Sequence, residues 1–188
     1  MENHMQTAEE FDTVIARCRR IYTLKMKDYG PSWRIMRPQT VNDQLFIKAM
    51  RIRSIETTGV NLVGESIDGE LVAIINYSVI GLIQLREGYS DTVDMKPERA
   101  LELYDRYIAE ARELMLRKNH DYGEAWRSMF GTSLTDIILT KINRNKSIAA
   151  NDCAMLVSEG AENNYFDMLN YAVFYLIQLM EKDEKKDD

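Results

Sequence analysis

The chain has 188 residues, 45% of them hydrophobic and 29% charged, with 9 Gly, 3 Pro and a formal charge of −6. This is the composition of a globular protein, and its excess of acids, 30 against 24 bases, repels a phosphate backbone, so duplex nucleic acid is not an expected partner. Three prolines leave long stretches in which every residue can donate to a helical ladder, which argues against an all-β fold.

The spacing predicts a first helix over residues 8–27, with Phe11, Ile15, Cys18 and Ile21 on one face, stopped at Gly30 and Pro31. A second follows over 41–56, with Asn42 as a cap-like residue. The third, over 68–86, is among the most apolar and should lie deep. The polar connector REGYSDTVDMKP ends at Pro97 and leads into a fourth helix over 97–118, stopped at Gly123. A fifth over 134–149 starts with Thr135 as its cap, and a sixth over 162–182 runs into the charged tail EKDEKKDD.

These six elements are two sets of three. KMKDYGPSWRIM (25–36) returns 93 residues later as KNHDYGEAWRSM (118–129). The same offset carries Asp12 and Arg19 onto Asp105 and Arg112, and Asp43, Lys48 and Arg51 onto Asp136, Lys141 and Arg144. After one inserted residue, Asn76, Tyr77 and the run 82–85 overlay Asn170, Tyr171 and 176–179. A core of three helices is small on its own, so the two copies gain by packing together. The expected architecture is all-α: two tandem three-helix repeats, residues 1–95 and 96–188, forming one bundle about a pseudo-two-fold axis, as in a fused homodimer.

No apolar run reaches the roughly 20 residues a bilayer span requires, since 71–83 is broken by Asn76, Tyr77 and Ser78. The start, MENHMQTAEEFD, is too acidic for a secretory signal. Cys18 and Cys153 provide neither metal spacing nor a disulfide framework. The expectation is a cytoplasmic protein with reduced thiols and no membrane partner; whether the fused pair dimerises again is left open.

On the sixth helix, 100° per residue puts Asn163, Asp167, Asn170, Phe174 and Gln178 on one stripe. A carboxylate at Asp167 needs a counter-ion, hydrogen bonds or a cation, because an unpaired buried charge is prohibitively costly. Glu159, Asp167 and an oxygen of Asn170 make an all-oxygen set of the kind that suits Mg²⁺. On the fifth helix Asp136, Thr140 and Arg144 share a face that Lys141 can reach. That pattern suits metal plus phosphate recognition, or a structural ion-pair network between repeats. Tyr122 and Trp126 likewise have two readings, as packing residues or as a platform for a base. His120, whose counterpart is Lys27, reads as a surface residue.

The segments KDYGPSWRIM and KNHDYGEAWRSM, DQLFIKAMRIRSIE and TDIILTKINRNKSI, and NYSVIGLIQL and DMLNYAVFYLIQL resemble the duplicated all-helical family of the nucleotide-modification-associated domain. The acidic helices are similar to those of the all-α nucleoside triphosphate pyrophosphohydrolases, in which carboxylates hold Mg²⁺ and water attacks a phosphoryl group. This resemblance implies Glu159 and Asp167 as catalytic metal ligands, Asn170 assisting, Lys141 and Arg144 on the phosphates, and Tyr122 and Trp126 facing the base. Two departures stand out. The paired acids at i, i+3 on neighbouring helices are missing, and the counterpart of Asp167 is Ala73, with Glu65 and Asn76 left around it. The site is therefore expected in the second repeat, with the first as a degenerate half. Mg²⁺-dependent nucleotide hydrolysis is the leading expectation; nucleotide binding without turnover, or a structural or partner-binding role, is the alternative.

Overall fold

In the computed structural model, residues 2–64, 66–150 and 158–187 are described, excepting the side chains of 2–5, 158, 159 and 184–187. They form α1 (Glu2–Tyr29), α2 (Pro38–Thr58), α3 (Ile67–Glu87), α4 (Pro97–Tyr122), α5 (Gly131–Ala150) and α6 (Ser158–Asp187). Short 3-10 turns, Ser32–Ile35 and Ala125–Ser128, follow α1 and α4, and there is no strand among the described residues.

The expected repeat is present, and its halves pack as a pseudo-dimer. α1 lies on α4, α2 on α5 and α3 on α6, each helix against its own counterpart. A two-fold interface is self-complementary, so each contact across it recurs with its partners exchanged. Arg19 holds Asp105 through two bonds of 2.6 and 2.8 Å, and Arg112 holds Asp12 through two of 2.8 and 2.9 Å. Between α2 and α5, Lys146 faces Asp43 at 3.6 Å while Arg53 faces Asp136 at 3.9 Å. These are exposed pairs and stabilise little, but their reciprocity fixes the register.

One continuous core runs through both halves, with Leu71, Ile74, Ile75, Leu82 and Ile83 of α3 and Met168, Leu169, Ala172 and Val173 of α6 fully buried at its centre. Their close approach depends on Gly81. A Cβ there would lie 2.3 Å from the ring of Tyr165, itself buried. α3 is long and apolar enough to cross a membrane by length and composition alone, contrary to the reading of its sequence. Yet 72% of that stretch is buried in the bundle, where its apolar surface is already used.

The glycine stops are as expected. Gly30 and Gly123 have φ of +62° and +59°, and their amides close the helices onto Met26 and Asn119. The second helices start earlier than expected. Pro38, with its fixed φ, opens α2 at the first helical position, and α5 opens at Gly131. Asn42 and Thr135 are therefore interior, buried residues that bridge the repeats. Asn42 donates to the Ile142 carbonyl at 3.2 Å, and Thr135 donates to Glu56 at 2.8 Å.

Candidate functional site

Each repeat builds the same corner from its first helix, its 3-10 turn and its third helix. Gln84 on α3 donates to the carbonyls of Trp33 (3.0 Å), Arg34 (3.0 Å) and Met36 (2.7 Å). Gln178 on α6 does the same to Trp126 (2.9 Å) and Met129 (3.0 Å). Eight residues back, Asn76 donates to the Cys18 carbonyl and Asn170 to the Ala111 carbonyl, both at 3.2 Å. The repeated Asn, Gln, Gly and Trp thus fix the turn and the helix pair around it. Buried backbone carbonyls need such donors, which accounts for amides on otherwise apolar helices.

In the second repeat the corner is closed. Asp167 lies between two ammonium groups, Lys118 at 2.5 Å and Lys141 at 2.6 Å, and is 13% exposed. Trp126 is stacked on Phe174, with ring centroids 4.4 Å apart, and carries the Arg127 guanidinium 4.4 Å from its ring. Tyr122 is exposed. Asn170 has its carbonyl oxygen buried with no hydrogen-bond partner among the described residues. The counterpart oxygen of Asn76 accepts from the Tyr104 hydroxyl at 2.9 Å, and the residue equivalent to Tyr104 on α1 is Phe11, which has no hydroxyl to offer.

Arg144 is exposed and makes no ion pair with a described residue. Its counterpart Arg51 pairs with the buried Glu70, which Lys48 also approaches at 3.2 Å, whereas α6 has Asn164 in place of Glu70. Lys141 and Asp167 are thus in contact, with Asn170 one turn along α6. Arg144 and Tyr122 face solvent. Glu159 falls in the first turn of α6, and its side chain, like Glu65 and Cys153, lies outside the described residues.

As a seat for Mg²⁺, the described donors do not fit. Each oxygen of Asp167 already meets an ammonium, and no cluster of three His, Cys, Asp or Glu capable of holding a metal occurs among the described residues. The counter-ion that Asp167 requires is supplied by the protein itself. His120 is exposed beside Asp121, at 3.2 Å.

The first repeat leaves the same corner open. A cavity of about 310 Å³ lies between α1, the first 3-10 turn and α3, lined by Tyr22, Lys25, Tyr29, Trp33, Ala73 and Tyr77 among others. The cause is in four positions of α3, each smaller than its counterpart on α6. They are Gly69 for Asn163, Val72 for Phe166, Ala73 for Asp167 and Ile80 for Phe174. Without a phenyl ring stacked on it, Trp33 borders empty space. Without the carboxylate of Asp167, Lys25 has no ion-pair partner among the described residues. Burial pushes the Tyr22 hydroxyl well above the ordinary tyrosine range, opposed by the neighbouring Trp33 indole. Tyr22 therefore stays neutral, with its ring stacked on Tyr104 at 4.5 Å.

A second, larger cavity of about 610 Å³ lies where α2, α3, α5 and α6 meet, lined by Asn42, Asn145, Lys146 and Tyr165 among others. Its walls end at Ala149, Ala150 and Ala161, on either side of a segment outside the described residues.

The model of the nucleotide modification associated domain 1 family matches this chain twice, over residues 25–85 and 118–179. The chain belongs to that family. Each match begins at the lysine of the first or fourth helix, Lys25 or Lys118, and ends in the third or sixth, so it covers the 3-10 turn and the third or sixth helix of each corner but not Cys18, Tyr22 or Ala111. No curated protein and no solved structure matches the chain.

The open corner was missed in the sequence because it is a difference between the copies, whereas the repeat is read from what they share. The usable signal was the run of smaller side chains at 69, 72, 73 and 80, together with a lysine kept in both copies while its acid is kept in one.

Proposed function

We propose that this protein binds a nucleotide in the cavity of its first repeat, without requiring turnover. The observation that carries this reading is the cavity itself. Ligand sites are concave, predominantly apolar and aromatic, and usually on the order of 300–1,000 Å³, with a few polar groups to set orientation. The first-repeat cavity meets that description at the lower end of size, with Tyr22, Tyr29, Trp33 and Tyr77 around it and Lys25 as its cation. Aromatic rings favour a stacked base, and an ammonium favours a phosphate. The family description, an association with nucleotide modification, is compatible with that ligand class and names no bound molecule.

Hydrolysis through Mg²⁺ held by Glu159, Asp167 and Asn170 is less well supported, because Asp167 would have to give up two lysine partners to take a metal. The test is thermal unfolding of the whole chain with a panel of nucleoside mono-, di- and triphosphates. A ligand at a hundred times its Kd adds about 2.7 kcal/mol of stability. For a chain of this size that is roughly 5–10 °C in melting temperature. If no nucleotide at millimolar concentration moves the transition, the binding reading is wrong and the helical body serves another purpose.

A further inference from the structure

We infer that the space beside Ala73 is an anion subsite, in which the phosphate of the bound nucleotide takes the place that the Asp167 carboxylate occupies in the second repeat. This deepens the nucleotide reading and rests on it for the rest of the ligand.

The molecule carries its own comparison. In both repeats the first helix presents a lysine to the third helix, Lys25 or Lys118, four residues before the tyrosine of the repeated DYG. In both, the second helix presents another, Lys48 or Lys141. The hydrogen bonds from Asn76 and Asn170, and from Gln84 and Gln178, hold the corners in equivalent geometry. In the second repeat the two lysines converge on Asp167, both within 2.6 Å. In the first, Ala73 stands at that position and the volume is cavity.

Lys48 pairs instead with Glu70, one turn nearer the start of α3, at 3.2 Å, and does not line the cavity. Lys25 has no ion pair or hydrogen bond with any described residue. A chain of formal charge −6 thus has an ammonium with no ion pair among the described residues lining an aromatic cavity, where the second repeat supplies a negative group in cis and the first does not. The chemistry that fits is a small tetrahedral or planar anion attached to an aromatic body. A phosphate would accept from Lys25 in charge-assisted hydrogen bonds, stronger than neutral ones.

The experiment measures binding to the whole chain by calorimetry with three probes: inorganic phosphate, nucleosides and their 5′-monophosphates. Two variants are used. Ala73→Asp places a carboxylate where Asp167 has one, and Lys25→Gln removes the cation. Wild type is expected to bind a monophosphate at least tenfold more tightly than its nucleoside, about the value of one hydrogen bond to a charged group. Lys25→Gln is expected to lose that advantage while the nucleoside still binds, and Ala73→Asp, which also fills part of the cavity, should abolish binding of inorganic phosphate. Should Ala73→Asp fail to fold, Lys25→Gln carries the comparison alone.

Equal affinity for nucleoside and monophosphate, unchanged by Lys25→Gln, overturns the subsite and leaves nucleotide binding standing. Phosphate binding that Ala73→Asp abolishes, with no preference for any nucleotide, supports the subsite and overturns the nucleotide reading. Binding of neither nucleotide nor phosphate overturns both.

Discussion

Replacing Asp167 with alanine removes the one carboxylate shared by Lys118 and Lys141, and its consequence separates a structural counter-ion from a catalytic ligand. Asp167 is 13% exposed and Lys141 18%, while Lys118 reaches out to 45%. The triad therefore lies between exposed pairs, worth about 0–1 kcal/mol, and buried ones, whose breaking costs about 3–5 kcal/mol. An intermediate loss of about 1–3 kcal/mol follows, most of it from leaving Lys141 half-buried without a partner. For a chain of this length that lowers the melting temperature by roughly 2–12 °C. Because the variant recreates at position 167 the alanine found at position 73, added inorganic phosphate should restore part of the loss by occupying the vacated place. Differential scanning calorimetry in phosphate-free buffer, and then with phosphate, reads both effects. An unchanged melting temperature would refute the counter-ion role, and a loss that phosphate leaves untouched would refute the idea that the carboxylate stands in for a ligand anion.

Gly81→Ala gains helix propensity of about 1 kcal/mol but drives a methyl into the ring of the buried Tyr165, a clash worth about 1–3 kcal/mol; chemical denaturation should show net loss, and a gain would contradict the close packing of α3 on α6. Gln84→Ala should destabilise more than Gln178→Ala, since Gln84 serves three carbonyls and also accepts from Arg34, while Gln178 serves two. Burial pushes the Glu110 carboxyl up, but the hydrogen bond and charge of Arg86, with help from Arg106, outweigh it and hold it below its ordinary 4.5. A depressed carboxyl contributes its stability above the unfolded-state value and loses it as pH falls through the folded one; urea unfolding below about pH 4.5 should weaken less steeply in Arg86→Met than in wild type. Burial pushes the Cys18 thiol up to about 12, so in a Cys153→Ser background native protein should not react with a thiol reagent until it unfolds, and rapid reaction would place Cys18 at the surface.

The fold was readable because duplication shows itself in letters. The offset aligned Asp12 and Arg19 with Asp105 and Arg112, and the structure, not the alignment, pairs these four residues across the pseudo-axis; the glycines of both DYG segments closed their helices as their sequence position requires. Helix starts were harder. Asn42 and Thr135 have the chemistry of caps, but a proline upstream in α2 set the first turn, and both side chains were drawn to the other repeat instead. Asp167 was correctly recognised as a carboxylate in need of a partner. Its partner Lys118 lies 49 residues away on α4, and nothing in the spacing of α6 distinguishes an ammonium from a metal as the group that answers it. The cavity was least legible, since a void depends on which neighbours face it, and Gly69, Ala73 and Ile80 look like ordinary core residues until α1 and its 3-10 turn are set against them.

A crystal structure of the full chain with a nucleoside 5′-monophosphate bound tests the central claim most directly. The account predicts the base among Trp33, Tyr29 and Tyr77 of the first repeat and the phosphate beside Ala73 on Lys25, with the Lys118–Asp167–Lys141 triad undisturbed. Ligand density in the second repeat, with Asp167 released from its lysines, would contradict it.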